Sequence, residues 1–212
     1  MADPEVTSGQ IITNADGTKV IDYSNNQFNK YKRSSFNPDV IDGLNNHLDK
    51  IDGTLEWKQS RFGNKEKLDK TYRDSKQAWI DDGDVVTFMF ENMKAANKDP
   101  DWNFDITDGE RVQYTKYGVG GHYTSHTDSI ISLGNPRLTR KLTMVVVLND
   151  DFEGGQFQFV KVGMTNNIVT EELDLKKGES IVFPAMNEHA VLPVTSGERR
   201  IVISWAWGPL WK

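Results

Sequence analysis

The sequence of 212 residues contains no cysteine at all. Disulfide bonds, thiolate metal sites and cysteine nucleophiles are therefore excluded, and the absence fits a cytoplasmic location. There is no run of about eighteen apolar residues, so we expect no segment that spans a membrane. The polar start, residues 1–5, lacks an apolar core, so we expect no secretory signal.

Positive charge is also in short supply. The formal net charge is −6, whereas proteins that bind nucleic acid usually carry a basic surface, so nucleic acid is disfavoured as a partner. Residues 58–76 are the exception, because basic side chains outnumber acidic ones there. This stretch predicts either a solvated loop or a basic lip beside an active site.

Helix signals are confined to the first hundred residues. Asn37-Pro38-Asp39 combines an N-cap, a first-turn proline and an acidic residue, and apolar residues at helical spacing continue this helix to Gly53. A second helix follows Asp82-Gly83-Asp84 and ends near Asn97. Before both helices, apolar pairs on either side of residues 14–17 predict a short hairpin or arm.

From residue 102 onward, short apolar runs alternate with turn residues, a pattern typical of a β-sandwich or barrel. The fold class that we predict is α+β with a mainly β core. Residues 101–212 form this core, and residues 1–100 are an arm and supporting helices of the same domain. The predicted strands are Trp102–Ile106, Arg111–Tyr117, Tyr123–Thr127, Lys141–Leu148, Gln156–Val162, Ile168–Leu173, Ser180–Phe183, Ala190–Val194 and Arg199–Trp207.

Within this β region, His126 and Asp128 are separated by one residue. If they lie on a strand, both side chains point to the same face. An imidazole and a carboxylate side by side are two thirds of the 2-His-1-carboxylate site of non-haem Fe(II) oxygenases. A lone His-x-Asp pair also occurs by chance, so a metal site requires a further histidine.

The sequence has only four histidines, and His189 is the one that follows the pair. His47 lies off the apolar stripe of the first predicted helix, and we expect it at the surface. His189 is therefore the predicted third ligand of a metal site. The alternative is a turn residue that happens to follow the bend at Pro184.

Arg199 begins the final predicted strand. On that strand it shares a face with Ile201, Ile203 and Trp205, while Arg200 points the other way. An arginine among apolar side chains is costly to bury unless it meets an anion. A dicarboxylate would suit its planar guanidinium, and the alternative is an edge-strand arginine in solvent.

Taken together, these residues make the chain resemble the Fe(II)- and 2-oxoglutarate-dependent dioxygenases, most closely their prolyl 4-hydroxylase-like branch. The resemblance covers about residues 101–207, and its order and spacing are more specific than any single piece. The matching residues are Trp102–Asp105, Tyr117–Tyr123, His126-Thr-Asp128, Arg140–Thr143, Leu148-Asn149, Phe152–Gly155, Phe159, His189, Val191, Gly197, Arg199 and Trp205.

The resemblance implies a double-stranded β-helix, a jelly-roll barrel related to the cupins, buttressed by the N-terminal helices. It implies that Fe(II) is bound by His126, Asp128 and His189. It also implies that 2-oxoglutarate binds the iron at one end and Arg199 at the other. Tyr117 is expected to hydrogen-bond that far carboxylate, and Thr143 to line the same pocket, whereas His122 is expected to be exposed.

The activity implied is hydroxylation of a C–H bond with O2 as co-substrate, release of succinate and CO2, and ascorbate as the reductant. The expected substrate is a prolyl residue in a peptide or protein. One alternative is the same chemistry on another amino-acid side chain or a small metabolite. Another is a barrel of the same architecture that binds a ligand without catalysis. The acidic charge disfavours a nucleic-acid demethylase.

Overall fold

The structure is a computed structural model that describes residues 10–13, 19–22, 31–60, 69–98, 102–162 and 168–211. These residues form two α-helices, a short 3-10 helix and seventeen strands. None of the helices in these ranges is long and apolar enough to span a bilayer. The strands are β1 (Gln10–Thr13), β2 (Lys19–Asp22), β3 (Lys32–Ser35), β4 (Lys58–Gln59), β5 (Arg73–Asp74), β6 (Lys76–Ile80), β7 (Asp108–Gly109), β8 (Val112–Tyr117), β9 (His122–His126), β10 (Leu138–Val147), β11 (Phe152–Gly154), β12 (Phe157–Val162), β13 (Ile168–Leu173), β14 (Glu179–Pro184), β15 (His189–Val191), β16 (Val194–Gly197) and β17 (Arg199–Pro209).

Both predicted helices are confirmed, and both begin at the predicted caps. Helix α1 spans Pro38–Ile51, and the Asn37 side chain accepts a hydrogen bond from the N–H of Asp39. Helix α2 spans Gly83–Asn97, and the Asp82 carboxylate accepts from the first turn. These side chains satisfy N–H groups that have no partner inside the helix, which fixes where each helix begins.

Two large sheets carry most of the remaining chain. The eight-stranded sheet has the order β3-β14-β10-β17-β8-β6-β4, with β7 paired to β17, and the five-stranded sheet has the order β13-β12-β15-β9-β5. Two smaller pairs are β1 with β2 and β11 with β16. The first pair confirms the predicted hairpin, although its turn, residues 14–18, lies outside the described residues.

The central strands of the larger sheet are buried on both faces. Along β10, Leu142, Met144 and Val146 pack in the cluster that includes the helices, whereas Val145 and Val147 pack against the five-stranded sheet. Strands covered on both faces are apolar at consecutive positions, not at alternate ones. One layer of helices and two facing sheets therefore share the core.

The predicted strand at Trp102–Ile106 is wrong, because these residues form no strand. The side-chain amide of Asn97 donates to the carbonyl of Phe104 at 2.8 Å and accepts from its N–H at 2.9 Å. These two bonds take the backbone groups that a neighbouring strand would need.

The first hundred residues also contribute more strands than we predicted. Strand β3 lies at one edge of the eight-stranded sheet and β6 and β4 at the other, while β5 joins the five-stranded sheet. The architecture is the expected double-stranded β-helix, with the sheets left open at their edges. The division of the domain near residue 100 stays a prediction.

Candidate active site

Three of the predicted site residues meet where β9 and β15 pair. His126 and His189 are direct partners in this ladder. Asp128 follows β9, and its N–H donates to the carbonyl of Ala185 at 2.9 Å. The two histidine Nε2 atoms each lie 3.6 Å from a different oxygen of Asp128, and all three ligand atoms lie within 4.8 Å of one another.

Backbone carbonyls fix the orientation of both imidazoles. Nδ1 of His126 lies 2.8 Å from the carbonyl oxygen of Thr124, and Nδ1 of His189 lies 2.9 Å from that of Asn187. Because a carbonyl oxygen can only accept, each ring carries its proton on Nδ1. Both Nε2 atoms then face Asp128, which is how metal-binding histidines are commonly held.

The hydroxyl of Thr143, on β10, donates to Oδ2 of Asp128 at 2.9 Å. Thr143 therefore orients the carboxylate, and its predicted contact with a co-substrate stays a prediction. Burial raises the pKa of the Asp128 carboxyl, but the neighbouring His189 and His126 outweigh it, so the pKa lies below the ordinary value. The carboxylate is thus ionised at neutral pH.

Burial also disfavours the charged form of His189, and here it is the dominant effect. It lowers the pKa of this imidazole to about 4, although the nearby Asp128 acts in the other direction. The ring stacks on Phe157, with ring centroids 5.2 Å apart. Tyr123 similarly stacks on His126, with centroids 3.5 Å apart. Aromatic side chains thus hold both imidazoles in place.

Arg199 is the most unusual buried residue of the site. Its side chain is 1% exposed, and neither Nη1 nor Nη2 has a hydrogen-bond partner among the described residues. Burial lowers the pKa of the guanidinium to about 10, which still leaves it charged at neutral pH. A buried cation without a partner is costly, so this group requires an anion.

Tyr117 lies beside Arg199, its ladder partner across β8 and β17. The guanidinium carbon is 5.7 Å from the centroid of the tyrosine ring. On the other side of the stem, a Cβ added to Gly155 would lie only 2.8 Å from Cδ of Arg199. Glycine at this position therefore gives the arginine room to extend through the core.

A cavity of about 590 Å³ extends from the metal-ligand candidates to Tyr117, the ladder partner of Arg199, while Arg199 itself is not part of its lining. Its walls include His126, Asp128, His189 and Tyr117, together with a row of β17 side chains, Ile201, Ile203 and Trp205. Arg199 precedes that row on the same face of β17, as the strand alternation predicts. Its neighbour Arg200 points the other way, with Nη1 3.7 Å from Oδ1 of Asp49.

One wall of this cavity is polar, and its Arg73 belongs to residues 58–76, which were predicted as either a solvated loop or a basic lip beside an active site. Arg73 is 7% exposed, its Nη2 donates to Oε1 of Gln113 at 3.0 Å, and its guanidinium carbon lies 4.4 Å from the Tyr123 ring centroid. Gln77 and Trp79 line the same wall. The alternate spacing of residues 73, 75, 77 and 79 was the available signal, and it was hidden within a stretch that reads as a basic loop.

Three further residues lie apart from the metal-ligand candidates. Both ring nitrogens of His122 face backbone carbonyls, those of Gly120 and Thr71. His47 lies 3.2 Å from Asp82 between the two helices. Trp57 packs edge-on against Tyr114. Of the predicted basic lip, residues 61–68 lie outside the described residues.

Residues 112–207 match the family model described as the 2OG-Fe(II) oxygenase superfamily. That match covers both imidazoles, the carboxylate and the unpaired arginine. Among curated relatives, a PKHD-type hydroxylase of Prochlorococcus marinus (strain NATL2A) is 30% identical over 94 residues, which are 44% of this chain and 40% of that protein.

A second relative, a putative prolyl 4-hydroxylase of Acanthamoeba polyphaga mimivirus, is 28% identical over 158 residues, 65% of this chain and 59% of that protein. The chain thus spans about half the length of the curated relatives that it matches. Among solved structures, a Pseudomonas putida prolyl-4-hydroxylase aligns with a TM-score of 0.62 at 20% identity, covering 83% of this chain and 91% of that one.

A prolyl hydroxylase from Trichoplax adhaerens, solved with a peptide fragment of the hypoxia inducible factor oxygen degradation domain, has a TM-score of 0.66 at 16% identity. This likeness covers 87% of this chain and 86% of that one. At such identities both structures show the oxygenase fold, the double-stranded β-helix, and nothing finer.

Members of this oxygenase superfamily use Fe(II), 2-oxoglutarate and O2, and the residues present fit the first two groups. Two neutral imidazoles and a carboxylate are a donor set suited to Fe(II). The unpaired guanidinium of Arg199 fits the far carboxylate of 2-oxoglutarate. A cavity of about 590 Å³ is in the size range of small-molecule sites.

Proposed function

We propose that the chain is an Fe(II)- and 2-oxoglutarate-dependent dioxygenase that hydroxylates a prolyl residue in a peptide or protein and releases succinate and CO2. The observation that carries this proposal is one cavity with two complementary ends. At one end, the Asp128 carboxylate and the Nε2 atoms of His126 and His189 lie within 4.8 Å of one another. The other end is lined by Tyr117, beside the buried Arg199 guanidinium that has no partner among the described residues.

In this proposal, His126, Asp128 and His189 hold Fe(II). The bonds from Nδ1 to backbone carbonyls keep each imidazole in the tautomer that offers Nε2 to the metal. Thr143 holds one carboxylate oxygen of Asp128, which limits rotation of that ligand. Three protein ligands leave coordination positions free for a chelating co-substrate and O2.

Arg199 holds the far carboxylate of 2-oxoglutarate, and Tyr117 shares that contact. Because the guanidinium is already desolvated, a carboxylate that reaches it gains a strong charge-assisted interaction. Apolar side chains such as Ile201 and Val145 line the space around it and exclude water. The pocket is therefore selective for a dicarboxylate of limited length.

When bound together, Fe(II) and 2-oxoglutarate supply the oxidising chemistry that inserts one oxygen atom of O2 into an unactivated C–H bond. The chain itself contributes binding, orientation and exclusion of water. We further propose that ascorbate serves as the reductant that keeps the iron in its ferrous form.

Two features support a peptide substrate. The names of several relatives describe hydroxylases, some of them of proline, and one solved neighbour holds a peptide fragment. In this chain the cavity lining combines the Trp79 and Trp205 rings, 6.0 Å apart, with the polar groups of Arg73 and Gln113. Aromatic rings and hydrogen-bonding side chains together suit an extended peptide.

The test is to incubate the Fe(II)-loaded protein with 2-oxoglutarate, ascorbate and O2, and to add either proline-containing peptides or free amino acids. We expect succinate release and one added oxygen atom on peptides, detected by mass spectrometry. Oxygen added only to free amino acids would replace the proposed substrate class. A metal-loaded protein that releases no succinate above background with either set would contradict the proposed activity.

A further inference from the structure

Asn149 follows β10 and is 4% exposed. The β10–β17 register pairs Val147 with Ile201, so its continuation places Asn149 directly opposite Arg199. The resemblance and the family match assign no role to this asparagine. It lies between the end of β10 and the start of β17.

The side-chain amide of Asn149 bonds the backbone on both sides of Arg199. Its Oδ1 accepts from the N–H of Arg200 at 2.7 Å, and its Nδ2 donates to the carbonyl of Glu198 at 2.6 Å. Nδ2 also donates to Oδ1 of Asp151. The amide thereby uses one acceptor and both donors, and it holds residues 198 and 200 together.

This arrangement replaces an ordinary ladder bond. The N–H of Leu148 donates to the carbonyl of Arg200 at 2.9 Å, and in an antiparallel pair the return bond would run from Arg200 to Leu148. Here the carbonyl of Leu148 accepts from Nδ2 of Asn45, in α1, at 2.8 Å. The Asn149 side chain takes over as the acceptor for Arg200.

The position of the Arg199 guanidinium depends on these hydrogen bonds to the backbone, because the buried side chain cannot move towards water. The stem passes against Gly155, and the guanidinium is fully buried without a partner among the residues that the structure describes. A small rotation of the main chain at residues 198–200 would therefore move the guanidinium away from the position that the ligand needs. Charge-assisted bidentate bonds depend strongly on such geometry.

We propose that Asn149 is a positioning residue for co-substrate recognition, because it fixes the main chain around Arg199 and so aims the guanidinium at the far carboxylate of 2-oxoglutarate. The inference rests on the proposed function. It also identifies a contact that specifically supports the dicarboxylate end of the ligand and leaves the metal end unaffected.

The experiment compares two ligands in protein loaded with Mn(II), which prevents turnover. 2-Oxoglutarate carries the far carboxylate, whereas pyruvate keeps the 2-oxo acid and lacks it. For Asn149→Ala we expect the calorimetric Kd of 2-oxoglutarate to rise about tenfold, while that of pyruvate changes less than about twofold. Mn(II) stoichiometry is expected to stay as in the wild type.

Two other variants separate the positioning role of Asn149 from a general effect on stability. Asn149→Asp has nearly the same shape and keeps the acceptor for Arg200, but it loses both donors, so we expect an intermediate rise in the Kd of 2-oxoglutarate. Asn45→Ala is the matched control, because it removes a side-chain amide bond to the same strand end without touching residues 198–200. We expect it to lower thermal stability and to leave both Kd values unchanged.

Several outcomes would overturn the inference. They are an unchanged 2-oxoglutarate Kd in both folded Asn149 variants, an equal loss for pyruvate, loss of Mn(II), or failure of both variants to fold. The last three would assign Asn149 to general stability. If the wild type binds Mn(II) but neither 2-oxo acid, the proposed function fails as well. If Arg199→Ala weakens 2-oxoglutarate binding and both Asn149 variants do not, only the positioning role fails.

Discussion

The two large sheets contribute different halves of the same cavity. The five-stranded sheet brings His126 and His189 together on neighbouring strands, with Asp128 directly after the first of them. The eight-stranded sheet contributes Arg199 and Tyr117, again on neighbouring strands. The polar groups of the first half have partners within the protein, whereas the guanidinium of the second has none among the described residues.

This difference indicates what each half is built to accept. In the metal half, backbone carbonyls hold both Nδ1 atoms and Thr143 holds Asp128. The two Nε2 atoms and the Asp128 carboxylate then converge within 4.8 Å of one another, a donor set that suits a metal cation. In the Arg199 half, a single buried positive charge requires an anion. A ligand that binds a metal at one end and carries a carboxylate at the other satisfies both.

The largest expected effect is at the metal half. We predict that His126→Ala and Asp128→Ala each abolish stoichiometric Fe(II) binding, because two donors are too few for a stable site. Metal content after anaerobic dialysis measures this. His122→Ala is the matched control on the same strand, and it should retain the metal. Full iron content in both ligand variants would refute the assignment.

The second effect is expected in the Arg199 half of the cavity. Arg199→Ala should weaken 2-oxoglutarate binding by about tenfold to a hundredfold, since one buried charged group would lose its partner, while iron content is unchanged. Arg200→Ala removes the same charge one residue away, where the side chain faces Asp49, and should change binding little. The reverse pattern would mean that the strand alternation is assigned to the wrong face.

An effect of similar size, here on metal affinity, is predicted for Thr143→Val, which removes the hydroxyl that holds Asp128 and keeps the side-chain shape. Residues that orient metal ligands typically contribute about tenfold to a hundredfold in metal affinity. Competition with a fluorescent chelator would measure this loss. If the affinity for Fe(II) is unchanged and only that for 2-oxoglutarate falls, Thr143 belongs with the Arg199 half, as the sequence resemblance implied.

The smallest effect is expected outside the cavity. Asn37→Ala removes the cap of α1, which packs on the outer face of the eight-stranded sheet. The loss should be about 1 kcal/mol of unfolding free energy, measured by chemical denaturation, with metal and 2-oxoglutarate affinities unchanged. A comparable loss of ligand affinity would show that the helix layer and the cavity are coupled.

The sequence predicted the elements whose signals are local. Asn37 and Asp82 mark helix starts because each cap bonds residues two or three positions away. Strand β17 was predictable because its turn and its alternating face are both contained in a dozen residues. The strand predicted at Trp102–Ile106 is wrong because the side chain of Asn97 bonds the backbone N–H and C=O of Phe104. The apolar and polar pattern of residues 102–106 does not reveal this contact.

The site was predicted only in part for the same reason. His126 and Asp128 have a recognisable spacing, and His189 is singled out because the sequence has few histidines. Arg199 stands out as a charge among apolar neighbours. Arg73 was predicted only as part of a basic stretch, either a loop or a lip of the site, because its burial depends on β5 pairing with β9, about fifty residues later. Asn149 likewise matters through its position opposite Arg199, which only the strand register reveals.

The most direct test of one ligand shared by two sheets is to measure binding of two analogues of 2-oxoglutarate with and without Mn(II). Pyruvate keeps the 2-oxo acid and lacks the far carboxylate, whereas glutarate keeps both carboxylates and lacks the 2-oxo group that chelates a metal. We predict that pyruvate binds only to the metal-loaded protein. Glutarate should bind without metal and lose this binding in Arg199→Ala. Glutarate binding that requires the metal as strongly as pyruvate binding does, or that survives Arg199→Ala, would contradict the division of the site between the two sheets.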